Sequence, residues 1–206
     1  MTSNNEVAYY LIFDTNVLFQ TYEKKADFTS FSFNATYKNI IDMINQLDIY
    51  NQVVLGIPLV VWSEMEKQII EKHDELLLTY KKTITKKIFP EYSIQENPTI
   101  NYSEYIKIKI LKYKEELSEG LNEVIEIPIA SNSRFKSIIN RAFSKLPPFE
   151  GKDKKSDKGF KDAVIWFSLI DYAKDHPADY IFVTKDKIFQ DNKNKKWLYH
   201  FFEENT

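Results

Sequence analysis

Short apolar runs that stop at acidic residues, with helix-patterned stretches between them, constrain this chain more than any other feature. Tyr9–Phe13 ends in Asp14-Thr15-Asn16, Val53–Ile57 leads through Pro58 into a segment bearing Glu64, and Tyr180–Val183 ends in Thr184-Lys185-Asp186. A fourth acid, Asp162, follows Gly159-Phe160-Lys161 at the start of another helical stretch. Runs that are apolar throughout suit strands covered on both faces. Strands alternating with helices suit a mostly parallel, doubly wound sheet. The expected fold is therefore α/β and Rossmann-like, with four to five strands. In such sheets ligands bind beyond the carboxyl ends of the strands. Carboxylates converging there repel one another unless they share protons or hold a cation. A hard divalent ion, Mg²⁺ or Mn²⁺, suits such all-oxygen donors.

The remaining elements follow from spacing. Ile40, Ile41, Ile44 and Leu47 predict a helix over 36–49. Pro58 suits the first position of a helix running to about residue 88, and Pro90 to Pro98 reads as a loop. Residues 106–110 alternate like a strand, yet Ile106, Ile110, Tyr113 and Leu117 keep helical spacing. Asn101 followed by Glu104 resembles a capping box, which favours a helix over 101–121. A short strand at 124–127 and helices at 133–146 and 160–174 come next, with Trp197–Phe202 offering an edge strand. The whole reads as one domain, 1–206, with a mainly helical insertion over about 65–157.

Composition narrows the chemistry. At 206 residues and 43% hydrophobic content, the chain has a core too large for a disordered segment. It has no cysteine, which excludes disulfides, thiolate zinc sites and cysteine nucleophiles. His73, His176 and His200 follow no metal-ligand spacing. A net charge of -2 provides no global basic field, so contact with a polyanion must come from a local patch. Residues 152–161 hold five lysines in ten, and Lys154, Lys155, Lys158, Lys161 and Lys185 are the candidate phosphate contacts; a solvated loop is the plainer alternative. Trp62 or Phe149 could stack on unpaired bases, though core packing is the commoner use of an aromatic. No run approaches transmembrane length and no basic-then-apolar leader opens the sequence, so the expected location is cytoplasmic.

Each acid also has a plain structural reading. Asp14 and Asp186 could cap turns or helices, Asp162 could complement a helix dipole, and Glu64 could be a solvated helix residue. Asp157 competes with Asp162, and Glu66 falls roughly 200° around the helix from Glu64. Four such alternatives falling together at one sheet edge is the less economical account.

The four motifs together resemble the PIN-domain nucleases. They are Ile-Phe-Asp14-Thr15-Asn16-Val-Leu, Pro58-Leu-Val-Val-Trp-Ser-Glu64, Lys158-Gly-Phe-Lys-Asp162-Ala-Val-Ile-Trp166 and Phe-Val-Thr184-Lys-Asp186. They occur in the family's order, and the third looks like a bacterial branch with a long insertion. The resemblance implies metal-dependent cleavage of RNA, usually single-stranded, by Asp14, Glu64, Asp162 and Asp186, with Asn16 and Thr184 in support. One or two metal ions would serve. Two rivals stand beside it. One is an inactive RNA-binding or protein-interaction module on the same fold. The other, ranked lower, is a haloacid-dehalogenase-like phosphatase, which needs an acid where this chain has Asn16. Three settings stay open for a nuclease: a toxin held by an antitoxin or another protein partner, a processing enzyme, or a defence nuclease. The long insertion speaks against a compact toxin.

Overall fold

The computed structural model of the chain describes residues 9–19, 27–84, 101–146, 148–149 and 159–185. Within them four strands, β1 (Tyr9–Phe13), β2 (Val53–Pro58), β3 (Val124–Ile127) and β4 (Asp179–Val183), form one sheet in the order β3-β2-β1-β4. Every pairing is parallel; Leu11 lies opposite Leu55 and Ile181, and Leu55 opposite Val124. The expected parallel α/β sheet is therefore what the chain forms. Its two inner strands are the runs that read as apolar throughout. All six residues of β2 are buried, and Ile12 and Phe13 of β1 are wholly inaccessible. At Gly56 the neighbouring strands close over β2, and a Cβ there would meet Ile12 Cδ1 at 2.4 Å and Ile127 Cδ1 at 2.9 Å.

The helices are α1 (Thr15–Leu18), α2 (Ala35–Gln46), α3 (Leu59–Ile84), α4 (Tyr102–Ser118), α5 (Phe135–Phe143) and α6 (Phe160–Asp175). Pro58 does not open α3 as its ring geometry suggested. It still lies opposite Ile127 as the last residue of β2, a strand-end position that tolerates proline. The helix begins at Leu59 and buries Val61, Trp62, Met65 and Ile69 at helical spacing. In α4, Asn101 Oδ1 accepts the N–H of Glu104 at 3.4 Å, so the cap is made and the alternating stretch is helical. Ile106 and Ile110 are buried one turn apart while Ile108 faces solvent. The helix expected over 133–146 is a 3-10 turn, Asn132–Arg134, followed by α5. Pro90 to Pro98, the far end of the long helix and Trp197–Phe202 lie outside the described residues.

An aromatic cluster fastens α4 to the rest. Phe33 meets Tyr37, Tyr113 and Trp62 at ring distances of 4.8, 5.0 and 5.2 Å. The hydroxyls of Tyr102 and Tyr105 donate to the carbonyls of Phe28 and Thr29. Trp62 is thus a core residue and not a base-stacking surface, and Phe149 packs against the hydrophobic cluster of α5 and α6. Helix α6 is buried around most of its girth from Ala163 to Ile170, as a helix with apolar residues on every side must be. Trp166 meets Phe182 of β4 at 5.5 Å, while Phe167 and Ile170 join Ile138 of α5 in a second cluster.

Two backbone positions make opposite demands. Gly159, immediately before α6, has φ +93°, and a Cβ there would lie 2.2 Å from the Pro148 carbonyl oxygen. Asp48, just past α2, holds φ 56° while Ile49 N–H bonds back to the Ile44 carbonyl at 3.2 Å, a helix terminus that favours glycine. Gly159→Ala should therefore lower the melting temperature, at a cost of at least about 1 kcal/mol. Asp48→Gly should raise it slightly. Thermal unfolding followed by circular dichroism checks both signs.

Candidate active site at the carboxyl edge of the sheet

The strand order reverses about β1, because β2 flanks it on one side and β4 on the other. The crevice between the carboxyl ends of β1 and β4 is the topological switch point where such sheets take ligands. Asp14 leaves β1 into this crevice. Its carboxylate is only 7% exposed, and a buried charge must be compensated by donors. Oδ1 accepts the N–H of Thr15 at 2.7 Å, and Oδ2 accepts the hydroxyl of Thr184, just after β4, at 2.6 Å. Asp14 thus caps the short α1, as its plain structural reading required, while also standing at the switch point.

Glu64 approaches from the second turn of α3. Its Oε2 accepts the hydroxyl of Thr15 at 2.7 Å, so one threonine bridges the two acids. Its Oε1 accepts from Gln68 Nε2 at 3.2 Å and from Lys161 Nζ at 2.6 Å. That ion pair brings the first turn of α6 against α3. Asp162 follows Lys161 in the same turn and is half-buried. Asn16 Nδ2 donates to Thr184 Oγ1 at 3.2 Å, and Asn16 Oδ1 accepts the Lys185 N–H at 2.8 Å. Lys185 Nζ donates to Thr36 on α2 at 3.3 Å. Asp186, Lys154, Lys155, Lys158 and the competing Asp157 lie outside the described residues.

Glu66 turns away as its angle predicted and pairs with Lys107 on α4 at 3.7 Å. The histidines are engaged elsewhere: His73 stacks on Tyr102 at 3.6 Å and His176 on Tyr172 at 4.0 Å, while His200 is outside the described residues. The Asp-Thr-Asn motif offers Thr15 as a residue able to orient Asp14, as it does, whereas its reach to Glu64 and the part of Gln68 are not anticipated. Gln68 carries a signal, since it is one helical turn beyond Glu64; the Thr15 bridge spans 49 residues of sequence and carries none.

Carboxylates and hydroxyls are hard oxygen donors, and their chemistry fits Mg²⁺ or Mn²⁺ rather than zinc. Among the described residues no group of three acidic or histidine side chains gathers closely enough to hold an ion. Asp14 and Glu64 are the pair that the structure joins.

The family model for the PIN domain matches residues 11–189, from within β1 to beyond β4. The chain belongs to the PIN-domain family. No curated protein and no solved structure matches it. PIN domains are generally nucleases, and the family typically uses divalent metals. In this PIN domain the residue a phosphatase would need as an acid, Asn16, is occupied in tying the ends of β1 and β4 together. Among the described residues no helix is long and apolar enough to cross a membrane.

The same sheet edge continues beyond β3, where the chain is pinned to α6. Ala130 N–H donates to Ser168 Oγ, Ser131 N–H to Asp171 Oδ2, and Arg134 Nε to Asp171 Oδ1 at 2.8 Å. Partial burial pushes the Asp171 carboxyl up, but the hydrogen bonds from Ser131 and the Arg134 guanidinium outweigh it and hold the group below its ordinary 3.8. A folded-state value below the unfolded one means that the contribution is present above about pH 4 and lost as pH falls through the folded value. Asp171→Asn should cost about 1–2 kcal/mol near neutral pH. In urea titrations across pH the gap between wild type and variant should close below about pH 4.

Proposed function

We propose that this PIN domain is a metal-dependent endoribonuclease acting on single-stranded RNA. The observation that supports it most is the Asp14–Thr15–Glu64 chain of hydrogen bonds at the switch point of a parallel sheet, in a family of nucleases. Asp14, Glu64, Asp162 and Asp186 would hold Mg²⁺ or Mn²⁺. The chemistry such an ion supplies is Lewis-acid activation of water and of the scissile phosphate. Thr15 and Thr184 fix the carboxylate rotamers by donating to them. Asn16 holds Thr184 and the Lys185 backbone in register with Asp14. Lys161 and Lys185, with Lys154, Lys155 and Lys158, would neutralise backbone phosphates. Neither described histidine, His73 or His176, takes part.

The Lys161 ammonium rests on Glu64, where it balances the carboxylate's charge. An incoming cation competes with it for Glu64 Oε1. Lys161→Met should therefore bind Mn²⁺ several-fold more tightly than wild type in calorimetric titration, although it loses one phosphate contact.

Purified protein with labelled single-stranded RNA and Mg²⁺ or Mn²⁺ should release internal cleavage products. EDTA should abolish them, and Asp14→Asn should reduce the rate at least about 10²-fold, the size expected when charge stabilisation at the reacting centre is lost. RNA binding without cleavage under every metal condition would favour the inactive-module reading instead.

A further inference from the structure

At the carboxyl end of β3 lies an apolar cavity of about 350 Å³ that the carboxylate chemistry does not use. Val60 from the first turn of α3, Ala130 and Asn132 from the pinned segment after β3, Phe135 of α5, and Phe160 and Lys161 of α6 are among its walls. It opens on the same sheet edge as Asp14 and Glu64. Lys161 belongs to both places: it lines the cavity and its Nζ lies 2.6 Å from Glu64 Oε1. Whatever occupies the cavity is therefore one side chain away from the acidic pair.

Its chemistry is specific. Phe135 and Phe160 are 58% and 42% exposed. Exposed aromatic surface around a cavity marks a binding site more often than not. One cation, Lys161, is among its walls. Lys136 follows Phe135 by one residue, while Arg134 in the pinned segment is paired with Asp171. Apolar rings beside cations suit a ligand with flat faces and a negative backbone. Single-stranded nucleic acid is recognised in this way, its bases stacked on aromatic rings and its phosphates matched by cations. A protein helix would ask for a longer groove with anchors spaced along it. The walls are also held ready, since Ala130, Ser131 and Arg134 are tied to Ser168 and Asp171. Binding then costs little ordering.

We infer that this cavity is a base-stacking subsite, in which Phe135 and Phe160 receive an unpaired nucleobase of a single-stranded RNA whose neighbouring phosphate lies at Lys161 and the acidic pair. The inference rests on the nuclease reading and adds to it the part of the substrate that is gripped outside the reacting phosphate. It makes Phe135 and Phe160 determinants of affinity through bases rather than through charge.

The experiment compares a fluorescein-labelled oligouridylate with an abasic strand of the same length and charge. Fluorescence anisotropy reads their affinity for Asp14→Asn protein in Mg²⁺, so that turnover does not interfere. Adding Phe135→Ala should weaken the oligouridylate about tenfold, the size of one lost base–aromatic stack, and leave the abasic strand unchanged. Phe160→Ala should act in the same direction, and Phe135→Trp should restore affinity. Both phenylalanines are solvent-exposed, and matched melting curves confirm that the variants fold. Unchanged affinity for the oligouridylate, an equal loss on both strands, or no binding of either strand by the parent would overturn the subsite; the cavity would then be a protein-docking face. Cleavage of the same oligouridylate by wild-type protein is scored separately. Cleavage with no Phe135 effect removes the subsite alone. Base-dependent, Phe135-dependent binding without cleavage keeps the subsite and removes the nuclease reading.

Discussion

A nearly buried carboxylate at the end of the central strand sets the terms for this edge of the fold. Asp14 is accommodated there by donors, among them Thr15 N–H and the Thr184 hydroxyl. Those two donors arrive from opposite directions: one from the turn that begins α1, the other from the end of β4, 170 residues away in sequence. Parallel pairing of β1 with β4 is what brings the second within reach, from Tyr9 opposite Asp179 to Phe13 opposite Val183. The hydrophobic core holds the register, and the register satisfies the charge.

From Asp14 the polar network spreads along the sheet edge in two branches. One runs through Thr15 to Glu64 and on to Lys161, joining β1, α3 and α6. The other runs through Thr184 to Asn16 and the Lys185 backbone, joining β1 to the segment after β4. Together they gather parts of the chain that the hydrophobic clusters only bring near. A carboxylate pair bridged by one threonine, its N–H on Asp14 and its hydroxyl on Glu64, and balanced by a lysine is tolerable without metal, and the same oxygens are suitable ligands for a hard cation. This is the sense in which the apolar core and the proposed chemistry depend on each other. The strands place the acids, and hydrogen bonds keep them oriented.

Much of this was legible in the sequence, for physical reasons that differ by residue. Strands β1 and β2 were readable because burial on both faces leaves no polar position in the run, and Asp14 was conspicuous as the first charge after it. Helix α4 was readable through Asn101, whose side chain competes for the Glu104 N–H whatever the tertiary setting. Pro58 misled because its ring favours a helix start and a strand end alike, and pairing with β3 decided between them. The partners of Glu64 were not readable. Thr15 reaches it only because β1 and β2 lie side by side, and Lys161 only because the start of α6 meets α3. Sequence spacing suggested a phosphate contact for Lys161 but could not reveal the carboxylate beside it. The cavity between α5 and α6 was equally hidden, since Phe135 and Phe160 stand 25 positions apart on different helices.

The acids at this sheet edge are proposed to hold a divalent ion at the switch point between β1 and β4. Crystals soaked in Mn²⁺ and measured at an energy where manganese scatters anomalously test it most directly. An anomalous peak is expected within ligand distance of the Asp14 carboxylate, with Glu64 turned from Lys161 toward the ion, and no such peak in Asp14→Asn crystals. A fully occupied manganese site elsewhere, with Glu64 still paired to Lys161 and nothing at Asp14, would contradict it.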